Sequence, residues 1–189
     1  MQILPTLQFG LANQWLLLAA YLAGFGYFVF RLPKVKREWL FADPKHTIHG
    51  FKKLALRIGQ LLTFGLIVVV CLTPLPDRPL GPALVGLILY ATGTFLVLLS
   101  LHFFGQAPDD QPVLDGPYRF SRNPQWVGLF LVLLGLALSA KSWLLVMMVL
   151  IVGLIYHIQI LAEEALCRAQ YGASYEQYLK TVPRYLLFW

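Results

Sequence analysis

Asp115-Gly-Pro-Tyr-Arg-Phe-Ser-Arg-Asn-Pro-Gln-Trp-Val-Gly128 is the stretch where turn formers, two arginines and aromatics crowd together between long apolar runs. Asp115-Gly116-Pro117 reads as a turn. Asn123-Pro124 reads as a helix start, because asparagine caps exposed backbone N–H groups and proline at the first helical position sacrifices no hydrogen bond. Gly128 and Gly135 then share one helix face, open to close approach by another helix. Arg119 and Arg122 fall on one face if Pro117 to Ser121 forms a helical turn. Two cations beside a helix N-terminus suit a carboxylate or a phosphate. On composition alone the commoner explanation is plainer: the arginines snorkel, and Tyr118 and Trp126 form an interfacial belt.

The surroundings of this stretch are oily. Of 189 residues, 58% are hydrophobic and 13% charged, and the mean hydropathy is +0.66. Soluble domains carry roughly 25% charged residues, so the chain reads as an integral membrane protein. The net charge of +6 sits in short loops between apolar spans, which fits membrane topology and not nucleic acid. Two cysteines, Cys71 and Cys167, lie far apart with no neighbour at metal-ligand spacing, so neither a metal site nor a disulfide is expected. The first apolar run lacks a basic flank and a cleavage site and reads as a retained span.

The expected fold is all-α: a polytopic membrane bundle of about five transmembrane helices, each needing about 20 residues, plus a cytoplasmic C-terminal helix. The spans are Leu11–Phe30, Leu54–Thr73, Pro82–Phe104, Pro124–Ala140 and Trp143–Leu161, within a single domain, 1–189. Residues 1–104 supply the first three spans, and 105–189 supply the polar loop, two spans and a tail that is helical until Pro183. Pro33 and Pro44 break the basic segment Arg31–Lys53, and Gly81, Gly86 and Gly93 offer small surfaces on the third span. If the spans alternate, one side holds every lysine and arginine except Arg78 and Lys141. Basic short loops stay in the cytoplasm, which puts the N-terminus outside and the C-terminus inside.

The other polar cluster ends the fifth span. Glu163 and Glu164 point about 100° apart on a helix and cannot share one partner. Glu164 stands four residues before Arg168, an ordinary helix ion pair, while Glu163 has no such partner. His157 lies on roughly the face of Glu164 and is more often a polar core residue than a proton carrier. Tyr171, Tyr175 and Tyr178 make an aromatic stripe, usually a packing surface. Arg184 follows Pro183 in a rigid setting.

In order and spacing, Gly116-Pro-Tyr-Arg-Phe-Ser-Arg-Asn-Pro124, Gly128, Glu163-Glu164, Tyr171-Gly-Ala-Ser-Tyr175, Tyr178 and Val182-Pro-Arg184 resemble the integral-membrane methyltransferases that include isoprenylcysteine carboxyl methyltransferase and phospholipid N-methyltransferase. The resemblance implies S-adenosyl-L-methionine as methyl donor, with S-adenosyl-L-homocysteine as product. It implies a cofactor pocket built by Leu114, Gly116, Pro117, Tyr118, Arg119, Arg122, Asn123, Pro124, Glu163 and Glu164, with Arg184 and Glu164 in catalytic roles and no metal. The commonest form of the family has His at the position of Asn123 and Tyr at that of Trp126. Asparagine keeps a hydrogen-bonding side chain but is no acid or base at neutral pH.

The partners implied are membrane lipids and a hydrophobic or lipidated methyl acceptor. A carboxylate acceptor, prenylcysteine-like, could be oriented by Arg184 or Arg119; an amine, as in an aminophospholipid, needs a carboxylate such as Glu164 to remove its proton. The carboxylate stands slightly ahead. Two readings compete from further away. Membrane sterol reductases look similar only near their C-termini, and a non-enzymatic scaffold leaves the two polar clusters without a common purpose.

Overall fold

Backbone polar groups inside a bilayer find no water, so apolar runs of this length fold as helices that satisfy their own hydrogen bonds. The computed structural model describes residues 1–42, 48–78 and 80–186. Among them run α1 (Trp15–Arg31), α2 (Lys34–Leu40), α3 (Phe51–Cys71), α4 (Pro82–Gln106), a 3-10 turn (Gly116–Arg119), α5 (Pro124–Ser139), α6 (Trp143–Tyr171) and α7 (Ala173–Thr181). The molecule is a helical membrane bundle. Helices α3, α4 and α6 are long and apolar enough to cross a membrane, and α1 and α5 are shorter apolar helices of 17 and 16 residues.

Several boundaries differ from the sequence expectation. The first span begins at Trp15, not Leu11, because Gln14 N donates to Thr73 O and Leu75 N to Ala12 O, tying the preceding residues to the end of α3. The last span does not stop at Leu161. Ala162 to Gln170 is made of good helix formers, so α6 runs on to Tyr171 for 29 residues, about 43 Å. It ends at Gly172, whose φ of 54° favours the residue without a Cβ. The expected single tail helix is therefore split, with α7 starting beyond that glycine. Pro33 does break the basic segment, but as the N-cap of the short α2. The break expected at Pro44, and Lys45 with it, lie outside the described residues.

The closest helix pair is α4 against α5. A Cβ on Gly93 would lie 2.6 Å from Gly128 O, and one on Gly135 would lie 2.6 Å from Gly86 O. The expected small surfaces thus meet each other, except Gly81, which caps α4 with φ 57° and faces open space. Around this pair Leu66, Val70, Val97, Leu101, Val132, Leu136, Leu145 and Val149 form the core. At one end of the bundle the N-terminal residues cross the ends of α3 and α6. Gln2 N donates to Lys141 O, Trp143 N donates to Gln2 O, and the buried Gln14 amide bonds Ser139 Oγ at 2.9 Å. That end is thereby closed, and the polar loops gather at the other.

Adding one methyl group between α4 and α5 tests the close approach. Gly93→Ala is expected to cost about 1–3 kcal/mol, as overpacking does, and to lower the thermal aggregation midpoint in detergent. Gly26→Ala, which meets nothing within 4 Å, should leave it unchanged. Equal midpoints for both would show that the contact is dispensable.

Candidate functional site

The site is built first by a loop that cannot relax. Gly116 has φ 60°, and its Cα lies so close against the Phe103 ring that a Cβ would collide with it. From there the 3-10 turn buries Tyr118, whose hydroxyl accepts from Gln125 Nε2 (3.0 Å) and whose carbonyl accepts from the Tyr178 hydroxyl (2.7 Å). Burial pushes the Tyr118 phenol far above its ordinary range, so it is a neutral hydrogen-bonding group.

After Phe120 the chain turns to pair with the C-terminal tail. Arg122 N donates to Pro183 O (2.9 Å), and Ser121 Oγ donates to Arg184 O (2.8 Å). This pairing ends the helical turn and separates the two arginines expected on one face. Arg119 stays exposed, while Arg122 is buried and its Nη1 donates to Val182 O (2.7 Å) and Leu179 O (3.2 Å).

Glu164, 3% exposed, receives everything this arrangement aims inward. Arg122 Nε donates to its Oε1 at 3.2 Å, and Arg184 donates from Nε to Oε1 (3.0 Å) and from Nη2 to Oε2 (2.9 Å). Asn123 Nδ2 adds a further bond to Oε1 at 3.0 Å. Asn123 stands at the N-cap of α5, with Pro124 first in the helix, but its side chain makes no cap bond because Glu164 holds it. The expected Glu164–Arg168 pair is not formed; Arg168 meets Glu176 instead, at 3.3 Å. Glu164 thus forms an ionic and hydrogen-bonded cluster shared by the loop, α6 and the tail.

Glu163, rotated away on the same helix, has a different environment. Trp126 Nε1 donates to Oε2 (2.7 Å) and Gln159 Nε2 to Oε1 (3.0 Å). Among the described residues it forms no ion pair. The Trp126 ring packs on Tyr156 at 5.4 Å between centroids, and the Tyr156 hydroxyl reaches Thr63 Oγ at 3.2 Å. The first turn of α5 therefore gives one neutral donor to each adjacent carboxylate: Asn123 to Glu164, and Trp126 to Glu163.

Glu163 faces a cavity of about 510 Å³, within the usual range of small-molecule sites, roughly 300–1,000 Å³. Its polar end is lined by Asn123, Gln125, Trp126, Gln159 and Glu163, and it passes between apolar walls set by Tyr21, Phe25, Val97, Phe104 and Leu129. Helix α2 covers one side with Lys36, Trp39 and Leu40. Lys36 is itself buried, its Nζ donating to Pro108 O (2.9 Å), pairing with Asp109 (3.2 Å) and lying over the Phe104 ring. Asp109 is thus balanced by Lys36, and Glu164 by two arginines. Tyr171, Tyr175 and Tyr178 all line the cavity, the last two buried against Val182. His157 does not line it; its Nδ1 pairs with the Tyr185 hydroxyl at 2.6 Å, a phenol that burial pushes up to about 12.

Among the residues expected from the sequence, Tyr118, Arg122, Asn123, Pro124, Glu163 and Glu164 line the cavity. Leu114 and Arg119 are exposed, Gly116 and Pro117 shape the loop from behind, and Arg184 backs Glu164. Sequence reasoning missed Lys36, Asp109, Gln125 and Gln159. Gln125 and Gln159 carried a readable signal, since each is an amide in an apolar helix and Gln159 stands four residues before Glu163. Lys36 and Asp109 carried none, because their meeting depends on tertiary packing.

The phospholipid methyltransferase family model matches residues 80–174, half of the chain, from the start of α4 into α7. No curated protein and no solved structure matches.

The two glutamates are expected to respond oppositely to neutralisation. Glu164→Gln strands one buried and one partly buried guanidinium and should cost roughly 3–5 kcal/mol, the usual penalty for breaking a buried pair. Glu163→Gln should cost under about 1 kcal/mol, because its partners are neutral: the new amide oxygen accepts from Trp126, and Gln159 can flip its own amide to accept from the new NH2 group. Denaturation of the two purified variants in detergent checks this, and similar losses would refute the division.

Proposed function

The chain belongs to the phospholipid methyltransferase family, and we propose that it transfers a methyl group from S-adenosylmethionine to an amine carried by a membrane lipid. The observation that carries the acceptor class is the setting of the Glu163 carboxyl group, whose pKa burial raises, as suits a proton acceptor. Among the described residues it is held by Trp126 and Gln159 alone, and it lines a cavity whose other carboxylates are paired with Lys36 or with arginines. An anion in such a place favours cationic guests, and both a sulfonium and an ammonium qualify. A carboxylate acceptor would set a second negative charge beside it. The prenylcysteine reading leaned on Arg184 or Arg119 as an orienting cation; Arg184 is engaged by Glu164 through Nε and Nη2, and Arg119 is exposed outside the cavity lining.

The donor set suits S-adenosylmethionine: a carboxylate for its cationic groups, Arg122 Nη2, the arm bound neither to Glu164 nor to the Leu179 and Val182 carbonyls, for its carboxylate, and aromatic walls for its ring. Tyr118, Arg122, Asn123, Pro124 and Glu163 are the residues proposed to hold it. When bound, it supplies an electrophilic methyl group on a positively charged sulfur. Such a displacement asks the protein chiefly to align the reactants and exclude water. Tyr21, Phe25 and Leu129 do the excluding. Glu163 accepts the proton that an ammonium acceptor must lose to become a nucleophile. Asn123 cannot titrate at neutral pH, so proton transfer is left to Glu163. Glu164 is a positioning residue, keeping Asn123 and the loop in place. The basic bias of the loops at the site end supports a cytoplasmic site, with the N-terminus on the opposite face.

Purified protein is expected to be thermally stabilised by S-adenosylhomocysteine and not by NADPH. With labelled S-adenosylmethionine it should methylate phosphatidylethanolamine in mixed micelles faster than a prenylcysteine acid. Glu163→Gln should lower turnover by about 10²-fold or more, the range of a lost general base, with the fold kept. No stabilisation by S-adenosylhomocysteine, or preference for the carboxylate acceptor, would overturn the reading.

A further inference from the structure

Helix α3 carries polar residues that neither the fold nor the proposed chemistry uses. Leu56, Gly59, Leu66 and Val70 mark its buried face, with Gly59 facing Ile155 and Thr63 bonded to Tyr156 on α6. Lys53, Arg57 and Gln60 lie to one side of that face. Gln60 stands seven residues after Lys53 and three after Arg57, so the three share a flank. Gln60 lines the cavity, and Lys53 and Arg57 are exposed on the turns before it.

The depth of this flank follows from the helix register. The N-terminal segment bonds to the end of α3 and to the start of α6, so the two helices run antiparallel. Measured from the Gly59–Ile155 contact, Lys53 lies about 9 Å and Glu163 about 12 Å toward the same end, so the Lys53–Arg57 flank reaches the level of Glu163. Opposite Gln60 the cavity is lined by Tyr21 and Phe25 of α1, and α1 touches α3 only lightly. Along this flank α3 is cationic at the exposed Lys53 and Arg57 and apolar beyond Gln60, where Phe64 is exposed.

We propose that the cleft between α1 and α3 seats the acceptor lipid, with its phosphate on Lys53 and Arg57 and its amine directed to Glu163. The cationic flank and the carboxylate whose level it reaches complement a zwitterionic headgroup, whose phosphate and amine carry opposite charges a few bonds apart. The assignment rests on the amine-lipid reading above, and Lys53 and Arg57 lie outside the region matched by the family.

The test compares phosphatidylethanolamine with a long-chain primary amine that lacks phosphate. The double variant Lys53→Gln, Arg57→Gln should raise KM for phosphatidylethanolamine at least tenfold with little change in kcat, and leave KM for the simple amine within twofold. Lys34→Gln, an exposed cation paired with Glu38 on α2, should change neither. No shift, an equal shift for both acceptors, or the same shift from Lys34→Gln would overturn the proposal. Native mass spectrometry of the detergent-solubilised protein with added phosphatidylethanolamine separates the two levels, because it needs no turnover. Lipid retained by wild type and lost in the double variant supports the phosphate seat even if no methyl is transferred, and that pattern would sink only the methyl-transfer reading. Equal retention would sink the seat itself.

Discussion

One carboxylate holds the site together. Glu164 sits on α6, and its partners come from a loop, a helix start and the tail: Arg122, Asn123 and Arg184. Each is separated from it by at least 20 residues of chain, so the bonds join segments that local structure alone would leave independent. A buried guanidinium (Arg122) and a partly buried one (Arg184) beside one buried carboxylate carry desolvation costs that their mutual pairing offsets. The backbone pairing of Arg122 N with Pro183 O, and of Ser121 Oγ with Arg184 O, completes the joint. The tail is thereby part of the site wall, which is how Tyr175 and Tyr178 come to line the cavity.

This commitment of Glu164 defines what its neighbour can do. Adjacent residues on a helix face directions about 100° apart, so one carboxylate can be locked in an ionic cluster while the other faces the cavity with neutral donors. Like pairs of titratable groups in other sites, the two glutamates acquire separate tasks from separate environments. The tight α4–α5 contact contributes from below. Gly93 and Gly128 bring the two helices close, and that fixes the first turn of α5, where Asn123 and Trp126 project to the two glutamates.

Much of the bundle was legible because membrane spans leave a strong signal in hydropathy and because proline and glycine mark the breaks. The pairing of the 115–128 loop with Glu163 and Glu164 was legible through order and spacing. What could not be read was which side chain serves which. Arg168 was the local choice for Glu164 under the i,i+4 rule, yet tertiary partners displaced it, since a buried carboxylate gains more from a buried and a partly buried arginine than from one exposed at the surface. Asn123 was expected to cap α5 and was taken by Glu164 instead. The continuation of α6 past Leu161 was hidden for a different reason. Hydropathy falls there, but helix propensity does not, and the latter decides where a helix ends outside the membrane.

The cavity also divides along the chain in a way that bears on how such a site is specified. Trp126, Gln159, Glu163 and Glu164 all belong to residues 80–174, the part shared with the family. Lys36 and Trp39 on α2, Gln60 on α3, and Tyr175 and Tyr178 in the tail close the same cavity from outside that part. A polar centre built on α5 and α6 is rigid because Glu164 anchors it, whatever covers it. Its covering walls are Tyr21 and Phe25 on α1, Trp39 and Leu40 on α2, and the tail tyrosines, with Gln60 of α3 at one side. Chemistry common to a family and selectivity particular to one member can then occupy one cavity without competing for the same side chains.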